Sequence, residues 1–200
     1  GFDVANISLG GPVFDTSKLD WLNGRYMREE LTTAQFLEEV RKWALNDEYL
    51  MPIAEMAQSR IVRLSDLGAL TAPFFMNRID GLTAEKLRDG VKIDADQQRA
   101  AYTLALQQFD AMIEWNKEGV DAALRKTAAA LEIKLKDMIR AFYLAVLGSP
   151  QGVPLFDAIT HLGRDILRER LRHAMELLGP ASKKETEAWT AALARAEASE

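Results

Sequence analysis

Apolar side chains recur at intervals of three and four residues along most of this 200-residue chain. The pattern is clearest over residues 94–116, where Tyr102, Leu106, Phe109 and Ile113 fall on one face of a helix. No segment of useful length alternates apolar and polar residues, as a half-buried strand would. The 12 glycines and 6 prolines are also too few for a β-protein with many tight turns. We therefore predict an all-α fold.

Capping and breaking residues divide this pattern into helices. We predict helices over residues 18–30, 32–46, 47–59, 94–116, 120–131, 135–147, 155–162, 164–178 and 182–198. Residues 60–94 are irregular, and Phe74-Phe75 is predicted as a helical turn. We expect an opening segment of residues 1–30, a first helical subdomain over 31–94 and a second over 95–200. Trp21 and Trp43 are predicted in the core, because tryptophans in a helical domain usually pack.

The residue types needed for several kinds of catalysis are missing or badly spaced. The chain contains no cysteine, and neither His161 nor His173 has a second histidine at the spacing of a zinc helix. We interpret both histidines as polar surface or interhelical hydrogen bonding. Carboxylate pairs such as Glu29-Glu30 fall on solvent faces, and no glycine-rich phosphate loop follows a strand. We predict no catalytic residue and no metal site.

Targeting and membrane signals are equally sparse. The first residues lack the basic start and apolar core of a signal peptide. No run of about 18 uncharged apolar residues predicts a transmembrane span. The first residue is not methionine, so we expect a fragment of a longer chain. Absence of cysteine fits a reducing compartment.

Positive charge is unevenly distributed along a chain whose net charge is −5. The acidic balance argues against a protein that coats nucleic acid without selectivity. Residues 125–140 contain five basic and two acidic residues, and residues 161–173 contain four arginines and two acidic residues. Arg60 and Arg63 form a smaller cluster. Arginine suits RNA because its planar fork pairs with phosphates and base edges, although such runs are usually solvated helix faces.

Motifs from both ends of the chain resemble one family. Residues 18–29 read KLDWLNGRYMRE and follow GPVFD at 11–15. This resembles the segment after the catalytic domain of bacterial glutamyl-tRNA synthetases, F-D-x-x-K-L-x-W-x-N-x-x-Y-I-R. VPLFD at 153–157 with LGR at 162–164 is similar to the family's last anticodon-binding helices. KLK at 134–136 before LGS at 147–149, and ASKKET at 181–186, complete the resemblance in the family's order.

The resemblance implies a C-terminal fragment of a class I ligase that joins glutamate to its tRNA. Residues 1–30 would finish the stem-contact region, and residues 31–200 would form the helical cage that binds the anticodon. The family's catalytic signatures, H-I-G-H and K-M-S-K-S, are not in this sequence. We thus expect no activity and no cofactor in the fragment, with ATP and Mg²⁺ serving the parent enzyme. The implied partner is tRNA(Glu), bound by a cytoplasmic monomer without a membrane partner.

The same resemblance implies a set of RNA contacts. The anticodon-binding residues would be Arg60, Arg125, Tyr143, Gly152, Val153 and Leu155. Contacts to the tRNA backbone or stem would be Arg25, Lys126 and Arg164. Arg60 stands where the family often has an arginine that reads an anticodon base and helps separate glutamate from glutamine tRNA. Tyr143 departs from the family's common arginine; it can stack on a base but cannot donate a bidentate pair.

Two other functions remain open from the residues alone. A helical protein-interaction or scaffold domain would use the basic clusters to bind acidic partners. A stand-alone helical enzyme would need a deep polar pocket with paired titratable groups, and no candidate pair is present. Convergence of Arg60, Arg125 and the Gly152 loop on one crevice would favour tRNA binding, whereas arginines on separate faces would favour a scaffold.

Overall fold

A computed structural model describes residues 15–198, without the side chain of Glu197. This part of the chain consists of helices joined by loops. The described residues contain no β-strand, so the all-α prediction is confirmed. Residues 11–14 of the first motif lie outside the described range. Contacts divide the chain into two units, Gly1–Asp47 and Glu48–Glu200. The three-part division at residues 30 and 94 stays a prediction.

The described part of the first unit consists of two capped helices. They are α1 (Thr16–Arg25), extended by a π-helical turn (Tyr26–Glu30), and α2 (Thr33–Trp43). The Asp15 carboxylate accepts hydrogen bonds from the first-turn N–H groups of α1. Thr32 and Gln35 form a reciprocal capping box that starts α2. The polar residues that predicted both helix starts therefore satisfy N–H groups that have no partner inside the helix.

The two tryptophans of the first unit are not in a core. Trp21 is 56% exposed and Trp43 is 65% exposed. Ala44 is the one buried residue among residues 15–47. The prediction that both indole rings are core residues is therefore wrong for this structure. Two short helices bury too little apolar surface to enclose them.

The second unit is a helical bundle that follows the predicted pattern closely. Its helices are α3 (Asp47–Gln58), α4 (Asp66–Thr71), α5 (Ala84–Arg88), α6 (Ala95–Ala111), α7 (Lys117–Ala130), α8 (Leu135–Leu147), α9 (Leu155–Leu178) and α10 (Lys183–Glu197). Helix α9 is kinked at Gly163, whose φ of 81° and ψ of 168° are not helical, which confirms the predicted break between residues 162 and 164. A 3₁₀ turn (Ala72–Phe75) contains the predicted turn at Phe74-Phe75. Helices α6, α7, α8 and α9 pack against one another, α10 covers α6 and α7, and α5 packs on α8 and α9. No described helix is long and apolar enough to cross a membrane.

One continuous core fills the second unit. It extends from Ile53 in α3 to Ala174 in α9 and includes Phe74, Tyr102 and Phe142. The Tyr102 hydroxyl donates to the carbonyl of Ala141 at 2.8 Å, so the phenol is satisfied inside the core. Burial raises the pKa of this phenol well above its ordinary value, which keeps the hydroxyl protonated and able to donate.

Helix α6 ends earlier than the apolar period predicts. The predicted helix reached residue 116, but Met112 is extended and α6 stops at Ala111. Asn116 instead begins α7, where its side-chain oxygen accepts from the N–H of Gly119 at 2.8 Å. An asparagine satisfies a free N–H at a helix start better than it extends a helix. The periodicity over 112–116 therefore gave a wrong boundary.

Gly148 ends α8 in a conformation that favours glycine. Its φ is 69°, in the left-handed region, and its N–H donates to the carbonyl of Leu144 at 3.0 Å. A Cβ at this position would lie 2.5 Å from Cγ2 of Ile79. We expect Gly148→Ala to lower the free energy of unfolding by about 1–3 kcal/mol, because it adds left-handed strain and a steric clash. Chemical denaturation at constant pH measures this change.

Gly68 in α4 provides the matched control for this substitution. A Cβ there would have no atom within 4 Å. Gly68→Ala should leave stability unchanged or raise it by up to about 1 kcal/mol, since alanine is the better helix former. Equal destabilisation by both alanines would contradict the assigned role of Gly148.

Candidate nucleic-acid interface

A cleft of about 540 Å³ opens on the second unit where α3, α4 and the end of α8 meet. We call it the Arg60 cleft. Its lining residues are Arg60, Ile61, Asp66, Ala69, Leu70, Pro73, Leu147, Ser149, Gln151, Gly152 and Val153. The fold thus brings Arg60 together with the predicted Gly152 loop. The two walls of the cleft come from two segments of the chain, residues 60–73 and residues 147–153.

Arg60 lies immediately after α3, in a turn held by its own backbone. Its N–H donates to the carbonyl of Ala57 at 2.8 Å. The residue is exposed, and its guanidinium has no hydrogen-bond or ion-pair partner within residues 15–198. An arginine carries five N–H donors in a planar fork. These donors are available to a ligand in the cleft without first breaking a contact within this range.

The loop after α8 contributes Ser149, Gln151 and Gly152 to the lining of the Arg60 cleft. Val153 and Leu155 were predicted to touch anticodon bases, but their side chains are buried in the core. Gly152 is partly exposed and keeps its backbone accessible on the cleft wall. The Tyr143 hydroxyl donates to the carbonyl of Val153 at 3.2 Å, and its ring packs against the core. Tyr143 therefore stabilises the loop from the core side through this hydrogen bond.

Arg125 and Lys126 lie on α7 and do not line the Arg60 cleft. The Arg125 guanidinium pairs with the carboxylate of Asp121 one turn earlier, at 2.8 Å. That hydrogen bond raises the pKa of Arg125, so the side chain stays charged. The convergence expected of an RNA site is therefore partial: it includes Arg60 and the Gly152 loop but not Arg125.

The arginine cluster over residues 161–173 is largely used inside the protein. Arg164 donates to the carbonyl of Met112 at 2.6 Å and lies over the ring of Trp115, 5.6 Å from its centroid. Arg168 pairs with Asp110 at 2.7 Å and with Asp165 at 2.8 Å. Within residues 15–198, the guanidinium groups of Arg164 and Arg168 are therefore already engaged by a backbone carbonyl and by carboxylates, and the contact of Arg164 with tRNA stays a prediction.

Arg170, one of the four arginines of the 161–173 cluster, is a buried structural residue and not a surface charge. It is 1% exposed and lies in the middle of α9. Its guanidinium donates to four backbone carbonyls, those of Pro73, Met76, Asn77 and Val146. Its position three residues after Leu167 and four before Ala174 places it on the apolar face of α9. That register was the signal that could have identified it.

Two of the carbonyls bound by Arg170 belong to, or lie next to, residues that line the Arg60 cleft. Pro73 lines the cleft on one side, and Val146 precedes the lining residue Leu147 on the other. Burial lowers the pKa of the Arg170 guanidinium to about 10, which still leaves it charged at neutral pH. Through charge-assisted hydrogen bonds, the buried cation therefore links Pro73 to the end of α8, next to Leu147.

Arg25 belongs to the first unit. Its Nε donates to the carboxylate of Glu29 at 2.7 Å, and its guanidinium lies 5.7 Å from the centroid of the Trp21 ring. Both charges are about half exposed. The contact of Arg25 with a tRNA stem stays a prediction.

The remaining titratable groups form no cluster of metal-ligating side chains in the described part of the chain. Among residues 15–198, no three His, Cys, Asp or Glu side chains cluster closely enough to hold a metal ion. His161 packs against the rings of Tyr49 and Phe74, with centroid distances of 4.7 and 5.6 Å. Burial lowers its pKa and favours the neutral imidazole. His161 is thus an aromatic packing residue, where hydrogen bonding or polar surface had been predicted.

Comparison with known proteins identifies the class of this domain. The family model described as "Anticodon binding domain" matches residues 35–175, and the chain belongs to this family. The chain is 42% identical over 196 residues to the glutamate–tRNA ligase of Stutzerimonas stutzeri, covering 96% of the chain and 38% of that ligase. The corresponding ligases of Ectopseudomonas mendocina and Pseudomonas putida are 42% and 40% identical over 193 residues, with the same coverage.

These matches confirm the resemblance to bacterial glutamyl-tRNA synthetases that the motifs indicated. The chain spans about 38% of the length of the curated relatives it matches. Its similarity to them extends over both the first unit and the bundle, since nearly the whole chain is aligned.

Proposed function

We propose that this chain is the anticodon-binding part of a glutamate–tRNA ligase and that it recognises tRNA(Glu). The observation that carries the proposal is the Arg60 cleft, where an arginine with no partner among the described residues lies beside the Gly152 loop in a domain of the anticodon-binding family. The parent enzyme would join glutamate to the tRNA using ATP and Mg²⁺, as a cytoplasmic monomer. This chain would supply recognition, while the chemistry would occur elsewhere in the parent.

The chemistry of an anticodon loop suits such a cleft. Its bases are unpaired, so their pairing edges and flat faces are open to a protein. Arg60 can donate two parallel hydrogen bonds to one base edge or to a phosphate. The exposed backbone at Gly152 can supply further polar contacts from the opposite wall. The net charge of −5 repels RNA elsewhere on the surface and confines binding to local positive charge.

The other predicted contacts lie outside the Arg60 cleft or shape its loop. Arg125 and Lys126 on α7 would bind the tRNA outside the cleft, with Arg125 already charged and exposed. Arg164 would have to exchange its bond to the carbonyl of Met112 for one to a phosphate. Tyr143, Val153 and Leu155 would act by shaping the loop rather than by touching bases.

Titration of the chain with the anticodon stem–loop of tRNA(Glu) tests this function. We expect saturable binding that weakens as salt rises, with a slope of log K against log[salt] near −2 if about three loop phosphates are contacted. The control is a stem–loop with the same stem and an unrelated loop sequence. Equal affinity for both RNAs, or no saturable binding to either, would contradict the proposal and favour a protein-interaction domain.

A further inference from the structure

The loop that begins at Arg60 exposes apolar side chains to an unusual degree. Val62 is 92% exposed and Leu64 is 84% exposed, whereas the core of the same unit buries its aliphatic residues almost completely. The loop connects α3 to α4, and its first two residues, Arg60 and Ile61, line the Arg60 cleft. The exposed aliphatic pair is therefore continuous in sequence with the proposed RNA site.

This loop is held in a defined shape by one carboxylate. Asp66 accepts hydrogen bonds from the N–H groups of Val62 and Arg63, at 3.2 and 3.0 Å. The N–H of Asp66 in turn donates to the carbonyl of Arg63 at 3.0 Å. Asp66 also lines the cleft, so the shape of the loop and the shape of the cleft depend on the same residue. A fixed loop binds a ligand with a smaller loss of conformational entropy.

Positive charge flanks the exposed aliphatic pair. Arg60 precedes Val62, and Arg63 lies between Val62 and Leu64. Arg63 is exposed, and within residues 15–198 its guanidinium, like that of Arg60, forms no hydrogen bond or ion pair. A ligand that matches this loop combines negative charge with flat apolar surface. Unstacked nucleotides have both, because each one carries a charged phosphate and, on the same sugar, a base whose face is apolar.

We propose that residues 62–64 form a second RNA-binding element, in which Val62 and Leu64 pack against unpaired bases and Arg63 binds a phosphate. This element rests on the proposed function and extends it beyond the Arg60 cleft. Arg60 reads a base edge inside the cleft, while the aliphatic pair supports neighbouring bases outside it. The two aliphatic side chains favour a loop over a duplex, because paired bases do not expose their faces.

The double variant Val62→Ser, Leu64→Ser tests the apolar contact in the whole 200-residue chain. Because both side chains are almost fully exposed, their replacement should not change the unfolding midpoint. We expect affinity for the anticodon stem–loop to fall about fivefold to tenfold through the loss of apolar contact. The slope of log K against log[salt] should not change, since no charge is removed.

Two further variants separate apolar contact from charge and from general surface effects. Arg63→Gln should reduce the magnitude of the salt slope by about 0.7, the value for one phosphate of a single strand. Ile113→Ser is the matched control, since Ile113 is 99% exposed in the connection between α6 and α7 and does not line the Arg60 cleft. It should leave both affinity and slope unchanged.

The outcomes distinguish this inference from the function on which it rests. If the wild-type chain prefers the anticodon stem–loop and the double variant binds it equally well, the inference is overturned and the function stands. An equal loss of affinity for the stem–loop and for a fully paired duplex also overturns it. If the wild-type chain self-associates in sedimentation and the double variant does not, the loop is a protein contact instead. If the wild-type chain shows no preference for the stem–loop, the function and the inference both fail.

Discussion

Replacement of Arg170 with methionine should lower the free energy of unfolding by about 3–5 kcal/mol. Methionine approaches arginine in length and tolerates burial, but it has no hydrogen-bond donor. Four backbone carbonyls would lose the guanidinium that now satisfies them, in a site that is 1% exposed to water. The loss of charge-assisted hydrogen bonds exceeds the gain from removing the desolvated cation, because the carbonyls remain buried.

Urea denaturation, monitored by circular dichroism, measures this change. Arg172→Met is the control variant. Arg172 is exposed on the same helix two residues later, so its substitution alters the same charge without disturbing a buried site. Its effect should stay within about 0.5 kcal/mol. Arg170→Lys should fall between the two, because a lysine keeps the charge with three donors that have no planar arrangement. A midpoint for Arg170→Met equal to that of the control would contradict the role assigned to Arg170.

The helices of this protein could be predicted because local interactions determine them. Helix α8 begins and ends as the apolar period and the following Gly148 indicate. Capping residues at Thr32 and Ser182 start α2 and α10 as predicted, each in a capping box with the residue three positions later. Each of these signals acts over four or five residues, which is the range that a sequence displays directly.

The use of each arginine could not be predicted in the same way, because it depends on residues distant in sequence. Arg168 pairs with Asp110 on another helix, and Arg170 binds carbonyls about 90 positions earlier in the chain. A count of basic residues over 161–173 treats both as surface charge. The prediction that Trp21 and Trp43 are buried fails for a related reason. The tendency of tryptophan to pack does not show which other residues would cover the ring. The prediction that Arg60 and the Gly152 loop share a cleft came from the family resemblance, because sequence spacing alone does not show that residues 60 and 152 are close in space.

Arg60→Gln should weaken binding of the glutamate anticodon stem–loop by about tenfold, within the range of about 1–3 kcal/mol for one bidentate base contact. Glutamine is shorter and has a single amide, so it cannot reproduce the guanidinium fork. Arg60 has no partner within residues 15–198 and is exposed, and the substitution should therefore leave the unfolding midpoint unchanged. Isothermal titration at fixed salt measures the affinity.

Selectivity provides the sharper measurement for Arg60, because a contact that reads a base acts on preference as well as on affinity. The ratio of affinities for the glutamate and glutamine anticodon stem–loops should move towards one in Arg60→Gln. Arg172→Gln removes the same charge at an exposed position that does not line the Arg60 cleft, and it should preserve the ratio. If both variants weaken binding equally and preserve the ratio, Arg60 contributes only to the general electrostatic attraction of RNA. General electrostatic attraction acts on both RNAs alike. A loss of preference that occurs only in Arg60→Gln therefore indicates a direct contact between Arg60 and a base in the cleft.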